Sequence, residues 1–268
     1  MKATRLLLIL FTYCLLPLYT LCAGTTDSLQ LRKHVVALTS TAKARNHQNL
    51  QELNQAADYI NAEFTKLEGQ VTEQVYSVNG TDYRNIIFST GPAGAPLLVI
   101  GAHYDVCGEQ PGADDNASGV AGLLEVARLL QQHSLPFQVQ FVAYTLEEPP
   151  YFRTAHMGSY VHAESLLQQQ SNVIGMVSLE MIGYYKDAKG TQRYPLAPMK
   201  LFYGSKGNYI AVVQRFGNGK FGRSFLRDLR KSAAIPVKSL RAPAAIPGVD
   251  FSDHLNYWRF GFHALMIT

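Results

Sequence analysis

The sequence predicts an α/β fold, a three-layer sandwich whose central sheet is mixed but mostly parallel. Near-continuous apolar runs at residues 97–100, 139–144 and 172–182 are typical of strands that are buried on both faces. Segments with helical spacing separate these runs, and strands that alternate with helices form parallel sheets. The chain has 268 residues, of which 47% are hydrophobic, so it can bury the core of one domain.

The first third of the chain predicts helix followed by a β-hairpin. Residues 28–67 have a helical pattern, and in the second half of this stretch the apolar residues recur every three or four positions. Residues 71–78 alternate as a strand does, and residues 83–88 have the composition of a returning strand. Asn79-Gly80 between them is a hairpin turn signal.

The rest of the chain alternates between helices, loops and strands. The helix expected after Asn116 carries an apolar stripe, so we expect it to pack on the sheet. In chain order we further predict an extended exit at Pro149-Pro150, a helix at 157–167, a loop at 186–201, helices at 208–216 and 223–232, a Pro-rich loop at 242–248 and a core strand at 263–267.

The N-terminal segment 1–23 has the features of a secretory signal. Lys2 and Arg5 form a positive start, an apolar stretch follows, and Ala23 offers a small residue for cleavage. An uncleaved anchor is the alternative, but the apolar stretch is short for a membrane span and contains Pro17. We therefore expect a secreted or periplasmic protein with no stable membrane association after cleavage, and a single domain over residues 24–268.

Composition says little about partners. The net charge is +4, and no block of Lys and Arg is dense enough to indicate nucleic-acid binding. After cleavage Cys107 would be the one cysteine left in this sequence, so it predicts no intramolecular disulfide.

Polar residues follow the ends of the predicted strands. His103 and Asp105 come just after the first apolar run, and Glu147 and Glu148 come just after the second. Asp115 opens the helix that follows the first run. Each group has a simpler interpretation, because a lone His is usually structural, an Asp can cap a helix and adjacent carboxylates can be solvated. Open α/β sheets nevertheless build their sites outside the carboxyl ends of strands, where these residues fall.

Glu180 is the most informative residue, since it lies within the third apolar run. A buried carboxylate without partners costs several kcal/mol or stays neutral, and a divalent metal removes that cost. Imidazole nitrogen and carboxylate oxygen suit zinc. We therefore predict a zinc site whose ligands are His103, Asp115, Glu148 and Glu180.

Four segments carry a family resemblance. GAHYDVCGEQPGADDNASG, AYTLEEPP, SLEMIGYY and DFSDHLNYWRFGFHALMIT resemble the M28 family of zinc peptidases, of the aminopeptidase Y and leucyl aminopeptidase type. They occur in the family's order, and the resemblance covers roughly residues 53–268. It implies a fold of the zinc-exopeptidase type. HExxH is absent from the sequence, which argues against a helix-borne zincin site.

The resemblance implies a site for two Zn²⁺ ions. His103 and Glu180 would bind one ion, Glu148 the other, and Asp115 would bridge the two. The family usually has Asp where Glu180 stands, so the geometry at this ligand is expected to differ slightly. The family also has a cis peptide bond after the bridging residue, here between Asp115 and Asn116.

The resemblance also implies catalytic roles. Glu147 would be the general base, and Asp105 would be the partner behind the zinc-binding histidine. The substrate would be the N-terminus of a peptide or protein. The last zinc ligand of the family is a His beyond the position where this sequence stops, whereas His254 lies near the site without being a ligand. We therefore expect an incomplete C-terminal end and an incomplete second zinc site.

Three functions are consistent with these residues. The first is a zinc-dependent aminopeptidase that releases N-terminal amino acids. The second is a glutaminyl-peptide cyclotransferase, which shares the fold but uses one zinc ion. The third is a non-catalytic domain of the same fold, which the missing final histidine favours and the retained carboxylates disfavour.

Overall fold

The computed structural model describes residues 26–194 and 198–268. The predicted signal segment, residues 1–23, lies outside the described residues. Within those two described ranges, no helix has the length and apolar character that crossing a bilayer requires.

One mixed β-sheet forms the centre of the described chain. Its order is β1-β2-β4-β3-β5-β8-β6-β7, with the strands β1 (Gln70–Val78), β2 (Thr81–Thr90), β3 (Leu97–His103), β4 (Gln138–Tyr144), β5 (Val173–Leu179), β6 (Ile210–Arg215), β7 (Val237–Ala242) and β8 (Ala264–Ile267). The central strands β4, β3, β5 and β8 run parallel, as do β6 and β7. The pairs β1-β2, β2-β4 and β6-β8 are antiparallel. The predicted mostly parallel mixed sheet is confirmed.

Helices cover both faces of this sheet. They are α1 (Ser28–Thr39), α2 (Leu50–Thr65), α3 (Gly119–Leu130), α4 (Gly158–Gln168), α5 (Met199–Tyr203), α6 (Gly219–Ser232) and α7 (His254–Arg259). Phe64 of α2 and Leu123 of α3 are buried in one apolar cluster, against which Phe225 of α6 packs. Leu166 of α4 and Trp258 of α7 belong to a second cluster. Successive residues of β3 join opposite clusters, so the sheet separates two helical layers.

The N-terminal hairpin forms as predicted, whereas the helical stretch before it is divided. Asn79 and Gly80 have φ of 52° and 81°, and Val78 pairs with Thr81. Two consecutive left-handed residues match the twist of the flanking strands. Helices α1 and α2 are separate, and residues 40–49 between them are not helical.

Two predictions of local structure are wrong. Residues 208–216 were expected to be helical, but they contain β6, which pairs with both β7 and β8. The β-branched residues Ile210, Val212 and Val213 suit a strand that has a neighbouring strand on each side. Pairing with these strands therefore overrides the apparent helical pattern. Pro149-Pro150 was expected to give an extended exit, but it lies in a turn and its peptide bond is cis.

The topology brings the ends of three neighbouring strands to one edge of the sheet. Strand β3 ends at His103, β4 ends three residues before Glu147, and β5 ends one residue before Glu180. Because these strands are parallel, their carboxyl ends lie side by side. This edge is where polar chemistry is expected in an open α/β sheet.

Gly101 of β3 is expected to be essential for packing at the sheet centre. A Cβ atom there would lie 2.2 Å from the Cε2 atom of Tyr144. That ring is held in place, because its hydroxyl is 2.7 Å from the hydroxyl of Tyr257 and the latter is 2.6 Å from Nδ1 of His162. Gly101→Ala should therefore lower the free energy of unfolding by about 1–3 kcal/mol in urea denaturation.

The matched control is Gly207→Ala, where the nearest atom to the new Cβ would be 3.3 Å away. We expect this variant to stay within about 0.5 kcal/mol of the wild type. Equal denaturation midpoints for wild type and Gly101→Ala would contradict the packing described for Tyr144.

Candidate metal centre

The structure brings the six predicted site residues to the same edge of the sheet. His103 is the last residue of β3, and Glu180 directly follows β5. Glu147 and Glu148 lie on the segment after β4, and Asp115 lies on the irregular turn Ala113–Ser118 that leads into α3. Four sequence-distant segments thus converge on one region. The individual roles of these residues as ligands, base or partner stay predictions.

His103 lies at the centre of this group and is 1% exposed. Its Nε2 atom is 3.3 Å from Oδ1 of Asp115 and 3.5 Å from Oε2 of Glu180. His103, Asp115 and Glu148 each offer one ligand atom, and these atoms all lie within 4.8 Å of one another. Such a group can surround a single cation.

The other ring nitrogen of His103 is turned towards Asp105. Nδ1 is 3.2 Å from the backbone oxygen of Asp105 and 3.5 Å from its carboxylate Oδ1. A proton on Nδ1 therefore has an acceptor, so Nε2, on the side of Asp115 and Glu180, is the nitrogen available to a metal ion. Ligating histidines usually show this arrangement, with a partner behind the ring fixing the tautomer.

Asp105 also holds the segment that carries the two glutamates. Its Oδ1 accepts a hydrogen bond from the backbone N–H of Glu147, and its Oδ2 accepts one from Glu148, both at 3.1 Å. Asp105 is 2% exposed. The carboxylate of Asp105, which follows β3, thus holds the segment that follows β4. The sequence predicted only its contact with His103.

Glu180 is buried, as the sequence predicted, and it has a polar partner. Its Oε2 accepts a hydrogen bond from Oγ of Ser252 at 2.7 Å. The same hydroxyl is 2.7 Å from Oγ of Ser178. Ser252 was missed as a site residue, although it stands in the SDH segment of the family resemblance, because a serine hydroxyl carries no sequence signal for this role.

Asp253 is a further buried carboxylate that sequence reasoning did not assign. It is 0% exposed, and among the described residues neither of its oxygens has a hydrogen-bond partner. Burial raises its pKa to about 7. His254, beside it, donates from Nε2 to the backbone oxygen of Val249 at 2.8 Å, so the partner of this nitrogen is not one of the proposed metal ligands.

The centre holds an excess of negative charge. None of its carboxylates has a Lys or Arg nitrogen within 4.0 Å in residues 26–194 and 198–268; they are Asp105, Asp115, Glu147, Glu148, Glu180 and Asp253. Burial raises the pKa of Glu147 well above its ordinary value and that of Glu148 to about 7. Burial lowers the pKa of His103, but Glu180 and Glu147 outweigh it and raise this pKa well above its ordinary value.

These observations fit a divalent metal. Buried carboxylates repel one another unless a cation compensates them, and every shift above favours uptake of positive charge. One imidazole with several carboxylates is a donor set suited to zinc, whereas magnesium and calcium sites are built from oxygen ligands.

Asn116 ties the turn that carries Asp115 to the end of β5. Its Nδ2 donates to the backbone oxygen of Leu179 at 2.9 Å, and its Oδ1 accepts from the backbone N–H of Met181 at 3.1 Å. The Asp115–Asn116 peptide bond is cis, as the family resemblance implied. The contacts of Asn116 therefore link the turn that carries Asp115 to the residues on either side of Glu180.

Comparison with known proteins identifies the family to which this fold belongs. Residues 85–267 match Peptidase family M28, and the chain therefore belongs to this family. The family indicates a peptidase, and hence a hydrolase.

Two relatives illustrate how much of the chain is shared. The uncharacterised protein YfbL of Escherichia coli K12 is 47% identical over 247 residues, which are 89% of this chain and 76% of that protein. Leucine aminopeptidase 1 of Trichophyton equinum is 32% identical over 210 residues, which are 73% of this chain but only 50% of that protein.

Solved structures agree on the fold. The LapA aminopeptidase of Legionella pneumophila superposes with a TM-score of 0.69 at 18% identity, covering 90% of this chain and 61% of that one. A glutaminyl cyclase of Bacteroides thetaiotaomicron gives a TM-score of 0.64 at 18% identity, covering 91% of this chain and 85% of that one. The predicted zinc-exopeptidase type of fold is therefore confirmed.

The burial of Asp253 predicts a pH-dependent stability difference in the metal-free chain. Its pKa is about 7 in the folded chain, whereas the ordinary pKa of an Asp side chain is 3.8. The folded state thus binds this proton more tightly, and the contribution of Asp253 to stability is lost as the pH rises from about 4 to about 7. Asp253→Asn cannot titrate, so its stability relative to wild type should increase over this window by on the order of 1–4 kcal/mol.

Urea unfolding at several pH values measures this difference. Burial lowers the pKa values of His162 and His254 to about 3 and about 4, so these residues change stability with pH in the opposite direction. Their contribution is the same in the variant and the wild type, and it cancels in the difference. A difference in unfolding free energy that does not change between pH 4 and 7 would contradict the burial of Asp253 as a carboxyl group.

Proposed function

We propose that this chain forms the catalytic core of a zinc-dependent aminopeptidase, which hydrolyses the peptide bond next to a free N-terminus. The observation that supports the proposal most strongly is the surroundings of His103. Its Nε2 atom faces the carboxylates of Asp115 and Glu180, and within the described ranges no Lys or Arg nitrogen lies within 4.0 Å of those carboxylates. Membership in the M28 family and the leucine aminopeptidase relative support the same reaction class.

The residues divide into those that hold metal and those that move protons. In the proposed site His103 and Glu180 would hold one zinc ion, Glu148 would hold a second, and Asp115 would be shared between them. When it is bound, zinc supplies Lewis acidity towards the peptide carbonyl and lowers the pKa of an adjacent water.

Glu147 is the proposed general base. Its Oε2 is 3.9 Å from Nε2 of His103, and its backbone is fixed by Asp105. It would take the proton from the attacking water and pass it to the leaving amine, so it would be a carboxylate again at the end of the cycle. Burial raises its pKa, which favours a group that can hold the transferred proton.

The exposed side of the centre suggests how substrate enters. The Asp115 side chain is 40% exposed, whereas the side chains of Glu147 and Glu180 are 7% and 8% exposed. A positively charged substrate N-terminus is attracted to unbalanced carboxylates, which favours peptide or protein N-termini as substrates. The predicted signal segment supports a secreted or periplasmic location for this activity.

Glu147→Gln tests the role of the base. The variant keeps the shape of the side chain but cannot accept the proton, so turnover should fall about 10²- to 10⁴-fold while zinc content stays at the wild-type level. Release of amino acids from short peptides and metal content per chain are the measurements. Glu109→Gln makes the same change at an exposed position before the Asp115 turn and should keep wild-type turnover. Unreduced turnover in Glu147→Gln would remove Glu147 as the base.

A peptide with N-terminal glutamine separates the alternative functions. An aminopeptidase releases free glutamine, whereas a glutaminyl-peptide cyclotransferase releases ammonia and leaves a pyroglutamyl peptide. The similar TM-scores of the two structural relatives do not favour either product. Zinc bound without any product would favour a non-catalytic domain.

A further inference from the structure

Arg45 lies in the break between α1 and α2, a part of the chain with no role in the proposed chemistry. It is 1% exposed and is among the largest fully buried side chains of the described residues. Burial lowers its pKa to about 10, which still leaves the guanidinium charged at neutral pH. A buried charge of this kind is expensive unless its donors are satisfied, so its partners indicate why it is retained.

The donors of Arg45 are directed at the backbone of the loop that joins two proposed ligands. Nε donates to the carbonyl oxygen of Tyr104 and Nη2 to that of Gly112, both at 2.8 Å. Nη1 donates to the carbonyl oxygens of Pro111 and Leu38. Tyr104 directly follows His103 in the chain, and Gly112 precedes the turn that carries Asp115. One side chain therefore holds both ends of the loop.

The same segment makes two further contacts with the loop. The backbone N–H of Val106 donates to the carbonyl oxygen of Arg45 at 3.2 Å. The Nδ2 atom of Asn46, which is 2% exposed, donates to the carbonyl oxygen of Gly108 at 2.6 Å. We call Arg45 and Asn46 together the loop anchor.

Arg45 does not act as an ordinary ion pair. In the part of the chain that the structure describes, no carboxylate oxygen lies within 4.0 Å of its guanidinium, whereas Arg84 pairs with Asp58 and Glu73. Its forked donors instead match several carbonyl oxygens at once, which the single ammonium group of lysine cannot do. The fit is close, since a Cβ on Gly112 would lie 3.0 Å from Nη2 of Arg45 and 2.3 Å from the carbonyl oxygen of Asp115.

We propose that the loop anchor is a positioning element of the metal centre, which sets the separation of His103 and Asp115 before metal binds. A site that is already in its binding geometry loses less freedom when the ion arrives, so it binds the ion more tightly. The side-chain hydrogen bonds of Arg45 all go to backbone carbonyl oxygens, so it would act through the segments that carry His103 and Asp115. The inference rests on the metal centre of the proposed function.

The test compares zinc affinity between Arg45→Lys and a matched control. Arg45→Lys keeps the charge but loses the fork, and its affinity for Zn²⁺ in competition with a chromophoric chelator should fall about 10- to 100-fold. The control is Arg84→Lys, which removes the fork of the ion pairs with Asp58 and Glu73 and should keep wild-type affinity. The visible absorption of bound Co²⁺ provides a second readout, because it should change in Arg45→Lys and not in Arg84→Lys.

Urea unfolding of both metal-free variants separates positioning from general stability. A merely structural role predicts that folded Arg45→Lys binds Zn²⁺ with wild-type affinity, and that result would overturn the inference. If Arg45→Lys is not recovered folded, Asn46→Ala replaces it, with an expected loss of about threefold to tenfold; wild-type affinity in that variant would overturn the inference equally. Absence of zinc binding in the wild type would instead overturn the proposed function, and this inference with it.

Discussion

The structure depends on one electrostatic constraint, the concentration of buried carboxylates around the imidazole of His103. The Asp115 and Glu180 oxygens lie 3.3 and 3.5 Å from its Nε2 atom, and the described chain places no basic side chain among them. Burial raises the pKa of Glu147 well above its ordinary value, and Glu180 and Glu147 outweigh burial and raise the pKa of His103, so protons compensate the charge when no cation does. A divalent ion can meet the same requirement.

Several hydrogen bonds maintain this unfavourable arrangement. Asp105 accepts hydrogen bonds from the backbone of Glu147 and Glu148, which follow β4 in the chain. Asn116 links the turn of Asp115 to the end of β5, and Ser252 restrains Glu180. Ser252 thus bonds a proposed ligand directly, Asp105 holds the backbone of another, and Asn116 bonds the residues on either side of Glu180. The parallel sheet provides the framework, because it brings the carboxyl ends of β3, β4 and β5 to the same edge.

The sequence allowed the predictions that depend on local pattern. Continuous apolar runs marked the central strands, and a glutamate within such a run marked Glu180 as unusual before its surroundings were known. Strand β6 was mistaken for a helix, because a short apolar segment has no periodicity that distinguishes the two and its strand partners lie elsewhere in the chain. Arg45 was missed for a related reason. Its partners are backbone carbonyl oxygens, which every residue has, so only the folded chain identifies them.

Anomalous diffraction from crystals grown with zinc tests the central claim most directly, with data collected on both sides of the zinc absorption edge. The account predicts a strong anomalous peak within coordination distance of Nε2 of His103 and of the carboxylates of Asp115 and Glu180. A difference map without a peak there, with the same side chains directed at solvent or at basic residues, would contradict the claim that a metal balances the charge of this centre.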